Sequence, residues 1–480
     1  MIRVDKRDFL TDIFMLIISV GGVLTYIAER EILLFISVFF VWLNIVFYSL
    51  RNIGDRAALF SFEITNFVFL IGGSFFSYVL YNKPLFEFNH SILIHTYVMI
   101  FISQILIYVC YRILSMKKRV RESHQKSVWT NKNVLLRIRK FSLVLIIISA
   151  IPSLIITLDN VRYASAYSYE ELYLRSGNGY SFIINKLAQL FIISVFIYLA
   201  TMPPKKKALF PMGIFLGIRA VSLFTGRRTD FMLAVMVLFF YYVYRNKANP
   251  EENWIGKAEI ILIIVVAPLL IVLLVNVSNI RSGSALSINL LDSIMSFFKE
   301  QGVSITVIEY GKELQGIIPK QPYLFGPIID WFKENEITRI FYQFTDYGSQ
   351  TAMQALKGAA FGDTISYLVI PTGYSMGRGL GSCYIAEAYQ TLSVFGVVFV
   401  NIIFGLVLRF IDENYGTSVI GSSFLLFMLM RILYAPRSTS FSFISSTFTI
   451  TNIAVICLMA FACKHVKFKR RISRKNLCHE

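Results

Sequence analysis

The sequence predicts an all-α polytopic membrane protein with about twelve transmembrane helices and one large loop on the outer side. Three observations predict it. Hydrophobic residues make up 56% of the chain and charged ones 16%, with a mean hydropathy of +0.61, whereas soluble domains carry about a quarter charged residues. The apolar residues fall in blocks of the length a helix needs to cross a bilayer. Lysine and arginine gather in alternate connections between those blocks, which is the pattern of cytoplasmic loops.

Taken in order, the first block, 9–28, is read as a retained span, since no small-residue cleavage site precedes Glu29. Spans at 31–50, 62–82 and 91–114 follow, separated by short connections. A basic stretch containing Lys117-Lys118-Arg119 leads into 141–158, then 181–201, then Lys205-Lys206-Lys207 and a span at 208–224. The eighth block, 231–244, is short. The ninth, 258–277, ends the first group, so residues 1–277 are expected to hold nine spans.

Residues 278–383 are the one soluble-like stretch of any size. Amphipathic helices are expected at Leu290–Leu314 and Ile328–Phe344, punctuated by Ile318-Pro319 and Phe325-Gly326-Pro327. At this length the segment caps the membrane bundle rather than folding alone. Three more spans, 384–408, 417–434 and 440–463, occupy 384–463, and a basic tail fills 464–480. An even number of spans places both termini in the cytoplasm. The short outer loops then hold only Arg30, Lys83, Arg162, Arg175, Arg227, Arg228 and Arg437.

A net charge of +18 could suggest nucleic acid. The charge lies in short clusters between apolar blocks, with no zinc spacing, helix-turn-helix or RNA-binding signature, so it is read as topology beside anionic lipid. Cys110, Cys383, Cys457, Cys463 and Cys478 allow no disulfide within the long loop. With His90, His95, His124, His465 and His479 they form no metal-binding set. No metal and no cofactor is expected.

The unusual feature is arginine on the outer side and inside the membrane. Arg219 and Arg431 interrupt apolar spans, where an ionised group is expensive and tends to face the bundle interior with a task. Snorkelling or a structural ion pair is the alternative. Arg227 and Arg228, in Gly226-Arg-Arg-Thr-Asp230, oppose the positive-inside bias, as does Arg437 in Ala435-Pro-Arg-Ser438. Arg281 follows the ninth span, and Arg378 lies in the glycine-rich run 373–381. Arginine forks bind phosphate in bidentate fashion and stay charged. Glycines near Arg378 let backbone amides approach an anion. These charges predict a phosphate-bearing ligand at the outer leaflet. Glu387 stands out among the acids, either as a general base or as an arginine's partner. Tyr163, Tyr167, Tyr169, Tyr173, Tyr323, Trp331, Tyr342 and Tyr347 are either an interfacial belt or platforms for sugar rings.

The run from Gly373 to Gly396, GYSMGRGLGSCYIAEAYQTLSVFG, resembles the Wzy-type O-antigen polymerase family, in which a glycine-rich segment leads to a Glu–aromatic element and a Phe-Gly before the last spans. Gly226-Arg227-Arg228 and Pro436-Arg437-Ser438 look like that family's two other arginine-bearing segments. The resemblance implies a GT-C-like glycosyltransferase of the bacterial inner membrane. It would join undecaprenyl-diphosphate-linked donor and acceptor repeat units on the periplasmic side, with undecaprenyl diphosphate departing. Arg227, Arg228, Arg437 and Glu387 carry over by motif; Arg281, Arg378, Arg219 and Arg431 rest on the charge argument. A chain-length regulator is an implied partner.

Two rivals share the span plan. A flippase would show two similar halves and midplane charges, whereas here the charges gather at one face and a single long loop breaks the symmetry. An O-antigen ligase would carry a histidine in the long loop, and residues 278–383 contain none.

Overall fold

The computed structural model describes residues 6–117, 132–175, 177–282, 289–335 and 338–475. Among these the chain is helical, with no strand. The first half runs α1 (Lys6–Ile27), α2 (Glu31–Leu50), α3 (Ala57–Tyr81), α4 (His90–Lys117), α5 (Lys132–Ala166), α6 (Phe182–Ala200), α7 (Lys205–Val221), α8 (Thr229–Ala248) and α9 (Lys257–Ser282). The loop contributes α10 (Leu290–Gln301), α11 (Val303–Glu313), α12 (Gly326–Glu334) and shorter turns. Then come α13 (Tyr384–Asn414), α14 (Val419–Ile432) and α15 (Ile450–Lys475).

Eleven helices among the described residues are long and apolar enough to cross a membrane, against the twelve expected. The difference is α8, expected as the span 231–244. It traverses the bundle all the same. Arg228, just before its start, pairs with Glu300 of the loop, and Lys247 near its end pairs with Asp55. Its Leu233, Ala234, Val237, Leu238, Tyr241 and Val243 are buried against neighbouring helices. A helix wrapped by protein needs less hydropathy than one facing lipid, so composition underrates it.

The end of the bundle where α1 begins is closed by charge pairs: Arg56 with Asp8 at 2.7 Å, Arg112 with Asp12 at 3.0 Å, and Arg245 with Glu252 at 2.9 Å. At the opposite end the loop helices pack into the bundle. Buried Ile305, Val307, Ile308, Tyr323, Leu324, Phe361 and Ile365 join the same core cluster as Phe62, Tyr97, Tyr384 and Leu426. Among the described residues the loop therefore has no separate core. The expected helix Leu290–Leu314 is split at Gly302, because α10 and α11 press on α3 there. A Cβ on Gly302 would lie 2.8 Å from the Phe298 carbonyl and 3.3 Å from the Gly73 Cα.

Two irregularities matter for the site. A π turn at Phe67–Ile71 interrupts α3, and such insertions concentrate at functional sites. In α13 the backbone breaks at Leu392 (φ −134°, ψ 18°) and Ser393 (φ 55°, ψ −145°), separating a short headpiece that carries Glu387 from the long span beyond.

Candidate active site at the loop-capped end

Arg437 sits at the end of a 3-10 turn, Ala435–Arg437, whose Pro436 favours the turn by fixing its own φ. The half-buried guanidinium donates from Nη1 to Ser304 Oγ at 3.0 Å and to the Gln301 carbonyl at 3.3 Å, and lies 5.9 Å from the Phe69 ring. Phe69 is in the π turn of α3. Among the described residues no carboxylate lies within ion-pair distance of Arg437.

Gly226 lets the chain turn after α7, with φ at 88°, and so delivers Arg227 and Arg228 to the start of α8. Arg228 Nη1 bonds Glu300 Oε2 at 2.8 Å. Together with Phe69 and Gln301 it lines a cleft between α3, α8 and α10. Arg228 and Arg437, from separate parts of the chain, thus both lie beside Phe69 and Gln301.

Arg219 of α7 and Arg431 of α14 flank Asp230: Arg219 Nη1 is 3.7 Å from its Oδ2, and Arg431 feels the charges of both. Arg227 stacks 4.9 Å from the Tyr173 ring. Arg219, Arg227 and Arg431 each bury an Nε–H that meets no acceptor among the described residues. A buried unpaired donor costs about 1–3 kcal/mol, so this end of the molecule carries unmet demand for an acceptor. Arg378 has a side chain 65% exposed and its Nε 3.6 Å from Glu170, whose carbonyl accepts from the amide of Tyr173, the ring beside Arg227. The backbone of Arg281 lies in the last turn of α9, and its side chain lies outside the described residues.

Glu387 is fully buried. Ser382 Oγ donates to its Oε1 at 2.6 Å, while the Ser440 amide and hydroxyl donate to Oε2 at 2.7 and 2.8 Å. Neither of the roles expected for it matches this geometry. The carboxylate is closed off from a substrate hydroxyl, and its donors are serines rather than arginine. What it holds is the segment just after Arg437.

Several residues at the site escaped sequence reasoning. Gln301, Ser304 and Glu300 on the loop helices, Phe69 in α3 and Ser440 beyond Arg437 were not singled out, and Ser382 only as part of the run 373–396. Glu309 of α11 is 2% exposed, and its Oε2 meets no partner. Burial pushes its carboxyl up to about 8. Asp363, on the helix Phe361–Val369, is also shifted upward by burial. Among the described residues no group of three His, Cys, Asp or Glu is placed to hold a metal ion.

No curated protein and no solved structure matches the chain. A family model described as O-antigen polysaccharide polymerase Wzy matches residues 9–470, nearly its whole length. Its helices and that match together make this a multi-pass membrane protein belonging to the O-antigen polysaccharide polymerase Wzy family.

Proposed function

We propose that the protein is a glycosyltransferase that polymerises undecaprenyl-diphosphate-linked repeat units at the periplasmic face of the bacterial inner membrane. Both termini are then cytoplasmic, and residues 278–383 form the outer cap. The observation that carries this reading is the convergence of Arg228 and Arg437 on Gln301 and Phe69, with no acid balancing Arg437 among the described residues.

In this reading the donor's diphosphate lies against Arg228 and Arg437. The acceptor hydroxyl's oxygen bonds to the donor's C1 as the C1–O bond to the diphosphate breaks with its electron pair. The hydroxyl proton leaves to water. Charge grows on the departing diphosphate, and two fixed guanidinium groups stabilise it most where it grows most. Diphosphate leaves readily, so no strong acid is needed. Glu387 is a positioning residue that anchors the turn carrying Arg437. Arg227, Arg219 and Arg378 extend the cationic rim toward the glycan, and Arg281 is assigned to the same face by sequence position. A chain-length regulator is the expected protein partner.

The test is the surface-glycan ladder of cells lacking the gene, complemented with wild type or Arg437→Ala. Single-repeat product in the null strain and a ladder restored only by wild type support the proposal. Lipid-linked repeats trapped on the cytoplasmic side would overturn it in favour of a flippase.

A further inference from the structure

A second cavity, of about 430 Å³, opens at the same end of the bundle between α6, α12, α14 and the start of α15. Its walls include Arg431, Lys186, Gln189, Trp331, Thr449 and Asn452. The size falls within the range of small-ligand sites. Its chemistry is that of an anion attached to a sugar: two cations, the Gln189 amide and the Thr449 hydroxyl to meet sugar oxygens, and an indole face for stacking, while the Asn452 amide already donates to the Ser446 and Thr447 carbonyls. Arg431 brings a buried Nε–H with no acceptor among the described residues.

The cavity shares no lining residue with the cleft beside Arg228, yet it is close to it. Arg431 and Arg437 lie on one continuous stretch, in which the Tyr434 amide bonds the Arg431 carbonyl at 3.1 Å and the Arg437 amide bonds the Tyr434 carbonyl at 2.9 Å. Six residues at α-helical to 3-10 rise put their backbones about 9–12 Å apart. A polymerase acting on two lipid-linked diphosphates needs two such anion sites side by side.

Resting on the polymerase reading above, we propose that this cavity binds the diphosphate and first sugar of the acceptor. The Arg228–Arg437 site holds the donor's leaving group. Lys186 and Arg431 clamp the acceptor's diphosphate, which does not react, and Trp331 stacks on the attached sugar. The cavity therefore holds the lipid-linked end of the acceptor at the same surface as the donor's diphosphate, and the repeat unit folds back so that the hydroxyl at its far end reaches the donor's C1.

The experiment uses the full chain in phosphatidylcholine nanodiscs, titrated with a farnesyl-diphosphate-linked monosaccharide and followed by tryptophan fluorescence and by bound stoichiometry. Wild type should bind two equivalents, one of which changes Trp331 emission. Lys186→Gln with Arg431→Gln should weaken that one by roughly tenfold to a hundredfold and leave the other. Trp331→Phe should keep two equivalents and lose the fluorescence change. Arg431→Lys, retaining charge, guards against misfolding and should bind both. The inference is overturned if the double variant binds like wild type, if wild type takes up only one equivalent or none, or if phosphatidylglycerol displaces the second equivalent, which would make the cavity a lipid-headgroup site. Failure here leaves the polymerase reading standing if Arg437→Ala still abolishes the ladder. Loss of that reading shows instead as a ladder that survives Arg437→Ala.

Discussion

Ser440 turns both its backbone amide and its hydroxyl onto Glu387 Oε2, at 2.7 and 2.8 Å, just past Arg437 in the chain. The headpiece of α13 and the arginine turn after α14 are thereby locked together by one buried carboxylate. Glu387→Ala strands three donors, two of them from Ser440, and should cost about 3 kcal/mol or more, read as a lower thermal midpoint of the purified protein. Glu387→Gln keeps the shape and should retain part of the ladder with an unchanged pH profile of polymerisation. A complete loss of turnover in a Glu387→Gln protein of normal stability would instead make this residue the proton acceptor.

Arg437 gives the sharpest functional prediction. Arg437→Ala should lower turnover by roughly a hundredfold to a thousandfold, the scale seen when one donor to a developing oxyanion is removed. Arg437→Lys should recover only part, because a point charge cannot span both diphosphate oxygens as the planar fork does. Turnover of purified protein on lipid-linked repeat units distinguishes these outcomes.

Glu300 holds Arg228 without being expected to touch substrate. Glu300→Gln should loosen Arg228 and raise the KM for the donor more than it lowers kcat. A double-mutant cycle of Glu300→Gln with Arg228→Lys should give a coupling of about 0.5–3 kcal/mol, as for other contacting pairs. Additive effects would mean that the ion pair at 2.8 Å is idle.

Glu309 ties stability to pH. The folded chain keeps its proton to about pH 8, while the unfolded chain releases it near 4.5. Between those values the folded state binds more protons, so stability falls as pH rises through that window. Glu309→Gln should flatten this fall and raise the thermal midpoint at pH 8 above that of wild type. Thermal scans across the pH range check it.

The sequence made the long apolar helices legible because hydropathy and basic loops report directly on lipid and membrane potential. It also singled out Arg228 and Arg437, since arginine in a connection expected on the outer side defies the topological bias. It could not reveal that they meet over Phe69 and Gln301, because that meeting depends on a π turn in α3 and on the break at Gly302, neither of which has a periodic signature. The burial of Glu387 among serines was equally hidden. A glutamate at a span's end looks the same in sequence whether a helix terminus leaves it open or a distant turn folds over it. Helix α8, expected as the block 231–244, falls short of the hydropathy of the eleven span-like helices because protein neighbours replace lipid around it.

The break in α13 at Leu392 and Ser393 has a mechanical consequence. A continuous helix is a stiff lever, and a bilayer that thins or thickens makes its spans tilt. With the hydrogen-bond ladder interrupted below Glu387, tilting of the long segment is absorbed at the joint instead of swinging the headpiece. The Arg437 turn is moored to that headpiece through Ser440, so tilting of the long segment of α13 reaches it only through the joint.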